Sequence, residues 1–178
     1  MDNKNGLMEL GGATRRIGDR LILEFDEASS RRLPSRGQVA VQGTINGQEH
    51  TLVIEPDGRR GHWLPLDRPE AAALASAPGQ QVGFTAQLAA RWPETALPAD
   101  LAAALQEATD LEDTWQSLTP MARWEWVRWV KSTKNPDTRQ RRVEVSISKL
   151  RDGKRRPCCF DLSSCTDPEV AKSGKLAL

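Results

Sequence analysis

Several features are scarce in this 178-residue sequence, and each scarcity excludes a class of protein. There are only three cysteines, two of them adjacent, which argues against a paired disulfide framework and favours a reducing compartment. No apolar run approaches the roughly 20 residues that span a bilayer, so we expect no membrane insertion. The first twenty residues lack the apolar core of a signal peptide. We therefore expect a cytoplasmic protein.

The sequence patterns of common catalytic and cofactor sites are also missing. There is no glycine-rich phosphate loop, no nucleophile elbow and no His-Glu-x-x-His motif. Cys158, Cys159 and Cys165 do not have the spacing of zinc ligands, and the two histidines, His50 and His62, lie far earlier in the chain. We expect no metal and no cofactor, and we favour a protein that is not an enzyme. The cysteines could serve as a thiol sensor or have no role, and the sequence does not decide.

Positive charge is concentrated in one segment, although the formal net charge is only +1. Residues 1–122 carry 11 Lys and Arg against 17 Asp and Glu, whereas residues 123–156 carry 12 against 4. A concentrated basic segment favours an anionic partner. The same charges could instead attract the acidic part of the chain. The sequence leaves both interpretations open.

Short stretches of alternating apolar and polar residues predict β-strands between residues 20 and 92. Leu21, Leu23 and Phe25 alternate in this way, and Asn46-Gly47 joins two later runs. Asn-Gly between such runs predicts a type I′ hairpin turn, which needs positive φ at both central residues. The last strand places Val82, Phe84, Ala86 and Leu88 on one face. About five strands predict a small antiparallel barrel or sandwich, with one or two helical turns over residues 70–77.

Helix signals dominate after residue 96. Leu97 to Asp100 begin a short helix that ends near Gln106, and an acidic connector follows. Thr119-Pro120 predicts a helix to about Lys134, and Asn135-Pro136 predicts another that stops near Gly153. Residues 143–148 also fit a strand, but the N-cap favours the helix.

These patterns predict an α+β fold, a small antiparallel β-barrel followed by a helical C-terminal region. We divide the chain into a flexible N-terminal arm over residues 1–19, the barrel over 20–95, the helical region over 96–156 and a flexible tail over 157–178.

Two regions of the sequence resemble known families. The run from Leu97-Pro98-Ala99-Asp100-Leu101 through Leu118-Thr119-Pro120 to Asp137-Thr138-Arg139-Gln140-Arg141-Arg142-Val143 resembles the C-terminal region of the YdeI/OmpD-associated, or bacteriocin-protection, family. Thr133 and Asp137 replace the usual Ala and Glu. Residues 20–92 resemble the small β-barrel domain of unknown function that often precedes this region. The shared points are Gly43 to Gly47, Pro56-Asp57-Gly58, Gly61 to Pro65 and Pro78-Gly79, although Gln80 replaces the usual Asp. The resemblance implies a barrel with helices, no established catalysis and a role in bacterial stress or envelope resistance.

Two groups of residues are candidate binding sites. Trp124, Lys134, Arg139, Arg141 and Arg142 could form an anion or partner surface, because arginine grips carboxylates and phosphates with two hydrogen bonds. The alternative is that these arginines pair with the acidic connector, whose carboxylates are Asp110, Glu112 and Asp113. We expect Trp126 and Trp129 in the core, whereas Trp124 lies off their apolar stripe.

The second candidate site is a barrel mouth at His62 and Trp63, because small barrels hold ligands at their mouths. The leading functional hypothesis is a non-enzymatic interaction protein of the YdeI/OmpD-associated type, with a protein partner. The alternatives are a binder of nucleic acid or another polyanion through the basic helices, and a small-molecule binder or enzyme at the barrel mouth.

Overall fold

Six antiparallel strands close into a barrel in the computed structural model, which describes residues 6–157 and 161–178. The strands pair in the order β1-β2-β5-β4-β3-β6, and a short helix, α1, lies between β2 and β3. This confirms the predicted α+β fold with a small antiparallel barrel. The bounds are β1 Met8–Ile17, β2 Arg20–Phe25, α1 Glu27–Arg32, β3 Val39–Ile45, β4 Gln48–Pro56, β5 His62–Pro65 and β6 Gln81–Leu88.

The chain divides into two units. The barrel unit contains the described residues up to Arg91 together with residues 162–165 and 169–178, and the helical unit contains residues 92–157, 161 and 166–168.

The turn between β3 and β4 confirms the prediction from Asn46-Gly47. The two residues have φ of 50° and 79°, and Ile45 pairs directly with Gln48. Only a residue that tolerates the left-handed region fits each position, which is why asparagine and glycine predict this turn.

Alternation along the strands fills the barrel with side chains. Leu23, Val41, Ile54 and Leu64 are members of a single buried cluster, and Val82 and Phe84 pack against it. Leu88, which the alternation placed on the same face, is instead exposed, because β6 ends there.

The prediction of a flexible arm over residues 1–19 is wrong for residues 8–17, which form β1 and pair with both β2 and β6. The alternation of apolar residues along β1 cannot be recognised in the sequence, because two of its inward-facing positions are Gly12 and Thr14. Gly12 lies so close to the backbone of Glu24 that a Cβ would collide with it. Thr14 is buried, and its hydroxyl is satisfied there: it donates to the carbonyl of Ala77, 2.7 Å away, and accepts from the amide of Gln80 at 2.8 Å.

The prediction of a flexible tail from residue 157 is also wrong, as far as residues 162–178 are concerned. This segment contains a hairpin of β7 Ala171–Lys172 and β8 Lys175–Leu176, joined by Ser173-Gly174 at φ of 52° and 74°. Strands of two residues are too short to show a period in the sequence. Cys165 is buried here, whereas Cys158 and Cys159 lie outside the described residues.

Residues 70–77 form no regular helix, but the first of them make one helical turn, at the lower end of the expected one or two. The amides of Ala71 and Ala72 both donate to the carbonyl of Arg68 at 3.0 Å, and Leu74 donates to Ala71.

The helical unit contains four α-helices, and the two cap predictions are confirmed. The hydroxyl of Thr119 accepts from the amide of Ala122, and the side chain of Asn135 accepts from Thr138. The last helix includes residues 143–148, so the helical alternative is correct, and Gly153 ends it at φ 80°. The bounds are α2 Ala99–Glu107, α3 Glu112–Ser117, α4 Pro120–Lys131 and α5 Pro136–Arg151, with a 3₁₀ turn over Thr109–Leu111.

Two details of the helical unit differ from prediction. The acidic connector is itself helical, because its acidic residues alternate with Leu111, Trp115 and Leu118, which are buried. Helix α4 ends at Lys131 rather than near Lys134, and the hydroxyl of Ser132 donates back to the carbonyl of Trp129. Of the helices in the described part of the chain, none has the length and apolar character needed to cross a membrane.

The core of the helical unit is built around Trp126, which has no exposed surface. Ala122, Leu111 and Leu150 belong to the same cluster, and Trp129 packs against it, as the apolar stripe predicted. The indole N–H of Trp126 donates to the carbonyl of Arg155 at 3.1 Å, so the one polar atom of the side chain is also satisfied.

We predict that Trp126→Ala lowers the free energy of unfolding by about 3–5 kcal/mol, because it leaves a large cavity and an unpaired carbonyl. Urea unfolding followed by circular dichroism measures this, with Lys131→Ala, on the exposed end of the same helix, as a control expected to change stability by less than about 0.5 kcal/mol. Equal effects of the two substitutions would contradict the assignment of Trp126 to the core.

Candidate functional site

Arg139, one of the predicted surface residues, is held by a carboxylate of another helix. Its Nε and Nη2 lie 2.6 and 3.1 Å from the two oxygens of Asp100 in the first turn of α2. The hydrogen bonds from Arg139 lower the pKa of Asp100. This two-pronged pair joins α5 to α2. The expected partner was the acidic connector, where Asp110 forms such a pair with Arg151 instead, at 2.8 and 3.0 Å.

Arg142 is also engaged within the helical unit. It donates to the carbonyl of Trp129 at 2.8 Å and to the hydroxyl of Ser132, and its guanidinium lies 5.5 Å from the centre of the Trp129 ring. Burial lowers the pKa of Arg142. The carbonyl of Trp129, near the C-terminus of α4, also accepts from the amide and the hydroxyl of Ser132, so this arginine adds a charged donor at a helix end that is already capped. Neither Arg139 nor Arg142 is a freely available cation.

Lys134 and Arg141 remain exposed. Over the described ranges 6–157 and 161–178, neither side chain makes an ion pair or a hydrogen bond. Lys131, at the end of α4, is exposed and unpaired in the same sense, and the sequence interpretation missed it although it belongs to the same run of charge. We refer to Lys131, Lys134 and Arg141 as the basic corner, because they flank the turn from α4 to α5.

Trp124 lies on a different face of α4 from Trp129, the residue that Arg142 contacts. Trp124 and Trp129 are five positions apart, so their side chains leave the helix about 140° apart. Trp124 is half-buried and meets the ring of Trp92 edge-on, with ring centres 6.2 Å apart and planes at 82°. The five predicted residues therefore do not form one continuous surface.

The predicted barrel-mouth residues face opposite sides of β5, because they are consecutive in a strand. His62 has no exposed surface, and its Nε2 lies 3.0 Å from the carbonyl of Ser35. Trp63 is 1 % exposed and packs on the outer side of the barrel, where its indole N–H donates to the carbonyl of Pro56. Both residues are closed to a ligand in this conformation.

Glu125 is a buried carboxylate that the sequence interpretation did not single out. It is 3 % exposed, and its Oε2 lies 3.5 Å from Nε of Arg156. In the part of the chain that the structure describes, its Oε1 has no hydrogen-bond partner. Burial raises the pKa of Glu125, and the charges of Arg156 and Arg128 oppose that shift. The signal in the sequence was a glutamate between Trp124 and Trp126.

The described residues contain no group of three or more His, Cys, Asp or Glu side chains that could hold a metal ion.

Each of the two units matches a family model. Residues 94–153 match the family model described as bacteriocin-protection, YdeI or OmpD-associated. The helical unit is similar to the YdeI/OmpD-associated family over this range. Residues 11–86 match a domain of unknown function, DUF1905, which corresponds to the barrel. No curated protein and no solved structure matches the chain. The resemblance of the two regions is therefore confirmed, and the match to the barrel includes most of β1.

We predict that Glu125→Gln stabilises the protein at pH 7 by about 1 kcal/mol, because an amide carries no charge that must be buried. The pKa of Glu125 is raised on folding, so its favourable contribution is present below the unfolded value and is lost as the pH rises through the folded value. The advantage of the variant should therefore shrink between pH 7 and pH 4 in urea unfolding.

The control is Glu112→Gln, which makes the same change at an exposed position in α3 and should have little effect. A loss of stability in Glu125→Gln that is the same at both pH values would instead mean that the carboxylate makes a net favourable contact.

Proposed function

We propose that this chain is a cytoplasmic, non-enzymatic interaction protein that acts in bacterial stress or bacteriocin protection. The name of the family whose model matches residues 94–153 supports the role. The basic corner supports a binding mode, in which Lys131, Lys134 and Arg141 contact an acidic surface of a protein partner.

The observation that carries this proposal is the division of charge between residues 131 and 142. This stretch holds five cations, Lys131, Lys134, Arg139, Arg141 and Arg142, against one carboxylate, Asp137. Two of the cations are held inside the unit by Asp100 and by the end of α4. The three that remain exposed provide local positive charge that can steer an acidic partner and fix its register.

We predict that Lys134→Glu/Arg141→Glu abolishes protection without unfolding the protein. The chain would be expressed in a bacteriocin-sensitive bacterium, and survival measured against bacteriocin dose. Wild type should raise the dose needed to kill half of the cells, and the double variant should not, because like charges repel across an interface.

The matched control is Lys172→Glu/Lys175→Glu, which makes the same change of net charge on the exposed hairpin of the barrel unit. It should protect as wild type does. Loss of protection in both variants would assign the effect to net charge, and no protection by wild type would refute the bacteriocin role itself.

A second candidate function is binding of nucleic acid or another polyanion, and the absence of ion pairs at the basic corner among the described residues favours it. Such binding weakens steeply with salt, because each neutralised phosphate releases counterions. Arg139→Ala/Arg142→Ala would be a poor test, since it removes the Asp100 pair and the contact at the end of α4.

For this candidate we predict that duplex DNA, RNA and heparin bind wild type at 50 mM salt and are released at 200 mM, whereas Lys134→Glu/Arg141→Glu does not bind them. Fluorescence anisotropy measures the binding. Binding that is insensitive to salt, or that the double variant retains, would exclude the basic corner as a polyanion site.

A further inference from the structure

The outer face of the barrel around Trp63 is covered by the C-terminal segment, residues 162–178. Ile22 of β2 and Trp63 of β5 point away from the barrel interior and pack in one buried cluster with Cys165, Val170 and Leu176. Two large apolar side chains on an outer barrel face would otherwise meet water. The segment therefore shields an apolar surface that the six barrel strands leave uncovered.

This segment is docked onto the barrel and is not a strand of it. Its hairpin forms a separate two-stranded sheet, and the barrel is already closed by its six strands. Residues 162–178 also lie beyond both family matches, which end at residues 86 and 153. The whole helical unit separates the segment from the barrel strands along the chain.

Three of the contacts that hold the segment are of the kind seen in a bound peptide, in which main-chain groups supply hydrogen bonds. The amide of Leu176 donates to the carbonyl of Asp57 at 2.8 Å, and Arg59 donates to the carbonyl of Leu176. Arg15 donates to the carbonyl of Ala177 at 2.9 Å. These three hydrogen bonds do not depend on which side chains the segment carries.

Side-chain contacts of the segment include an apolar anchor and an acidic contact. Leu176 has no exposed surface. The carboxylate of Glu169 lies 2.8 Å from Nη1 of Arg20, which also pairs with Asp67. A carboxylate followed by apolar residues is a pattern that other peptides could supply.

The turn beneath the segment is shaped to admit it. Gly58 has φ of 74°, and a Cβ there would collide with the carbonyl of Gly174 in the hairpin. The main chain of the segment therefore passes directly over the turn, at a distance that a side chain would prevent.

We propose that the outer barrel face around Ile22 and Trp63 is a peptide-binding surface, which residues 162–178 occupy in the free protein and which a peptide of the same chemistry occupies when they are displaced. The ligand is a peptide with an acidic residue followed by apolar anchors. Because the segment is part of the same chain, its binding to the face is intramolecular, so the segment also inhibits binding of the peptide.

The test uses the full-length chain and a fluorescein-labelled synthetic peptide of residues 162–178. Leu176→Asp places a charge in the apolar cluster and should release the tethered segment. The labelled peptide, which keeps Leu176, should then bind this variant at least about tenfold more tightly than wild type in an anisotropy titration. The matched control is Leu178→Asp, the same substitution in the same segment at a residue that is 98 % exposed, and it should behave as wild type. A peptide carrying Leu176→Asp should bind none of the proteins.

Each other result overturns the proposal. If Leu176→Asp is folded by circular dichroism and does not bind the peptide, the face is not a peptide-binding surface. If wild type and Leu178→Asp bind as tightly as Leu176→Asp, the tethered segment does not compete for the site. If Leu176→Asp fails to fold, the segment is an essential part of the barrel and not a displaceable ligand.

Discussion

The helical unit depends on arginine side chains that hold the ends of helices. The last carbonyls of a helix have no partner within it and lie at the negative end of the helix dipole, so a cation there is favourable. Arg142 serves the end of α4. Arg123 donates to the carbonyl of Leu118 at 2.7 Å, just after α3, and Arg155 donates to that of Ser117 at 2.5 Å. Much of the basic charge in residues 123–156 is therefore engaged within the fold.

The features that the sequence predicted correctly are those that depend on residues close together in the chain. The caps at Thr119 and Asn135 and the turn at Asn46-Gly47 each depend on residues within four positions of one another, and all three are confirmed. β1 could not be read, because Thr14 is satisfied by groups more than sixty residues away. The short hairpin at the C-terminus is likewise stabilised by packing on the barrel, which no local pattern reveals.

The sequence indicated which residues belong to the candidate site, but it did not indicate which carboxylates or carbonyls each of them contacts. Arg139 could have met any of several carboxylates, and its partner, Asp100, lies 39 positions away in the chain. Side-chain directions within one helix or strand can be predicted. The helical period places Trp124 and Trp129 on different faces of a helix, and strand alternation places His62 and Trp63 on opposite sides of a strand. The pairing of distant side chains requires the tertiary structure.

The boundaries of the barrel unit also show why a domain is not always a continuous stretch of sequence. The family match to the barrel ends at residue 86, yet the outer face around Ile22 and Trp63 is completed by residues that follow the whole helical unit. A closed barrel satisfies its backbone hydrogen bonds internally, but closure does nothing for apolar side chains that point outward. Another segment must cover them. In this chain the C-terminal segment does so, and its apolar residues must therefore be complementary to Ile22 of β2 and Trp63 of β5.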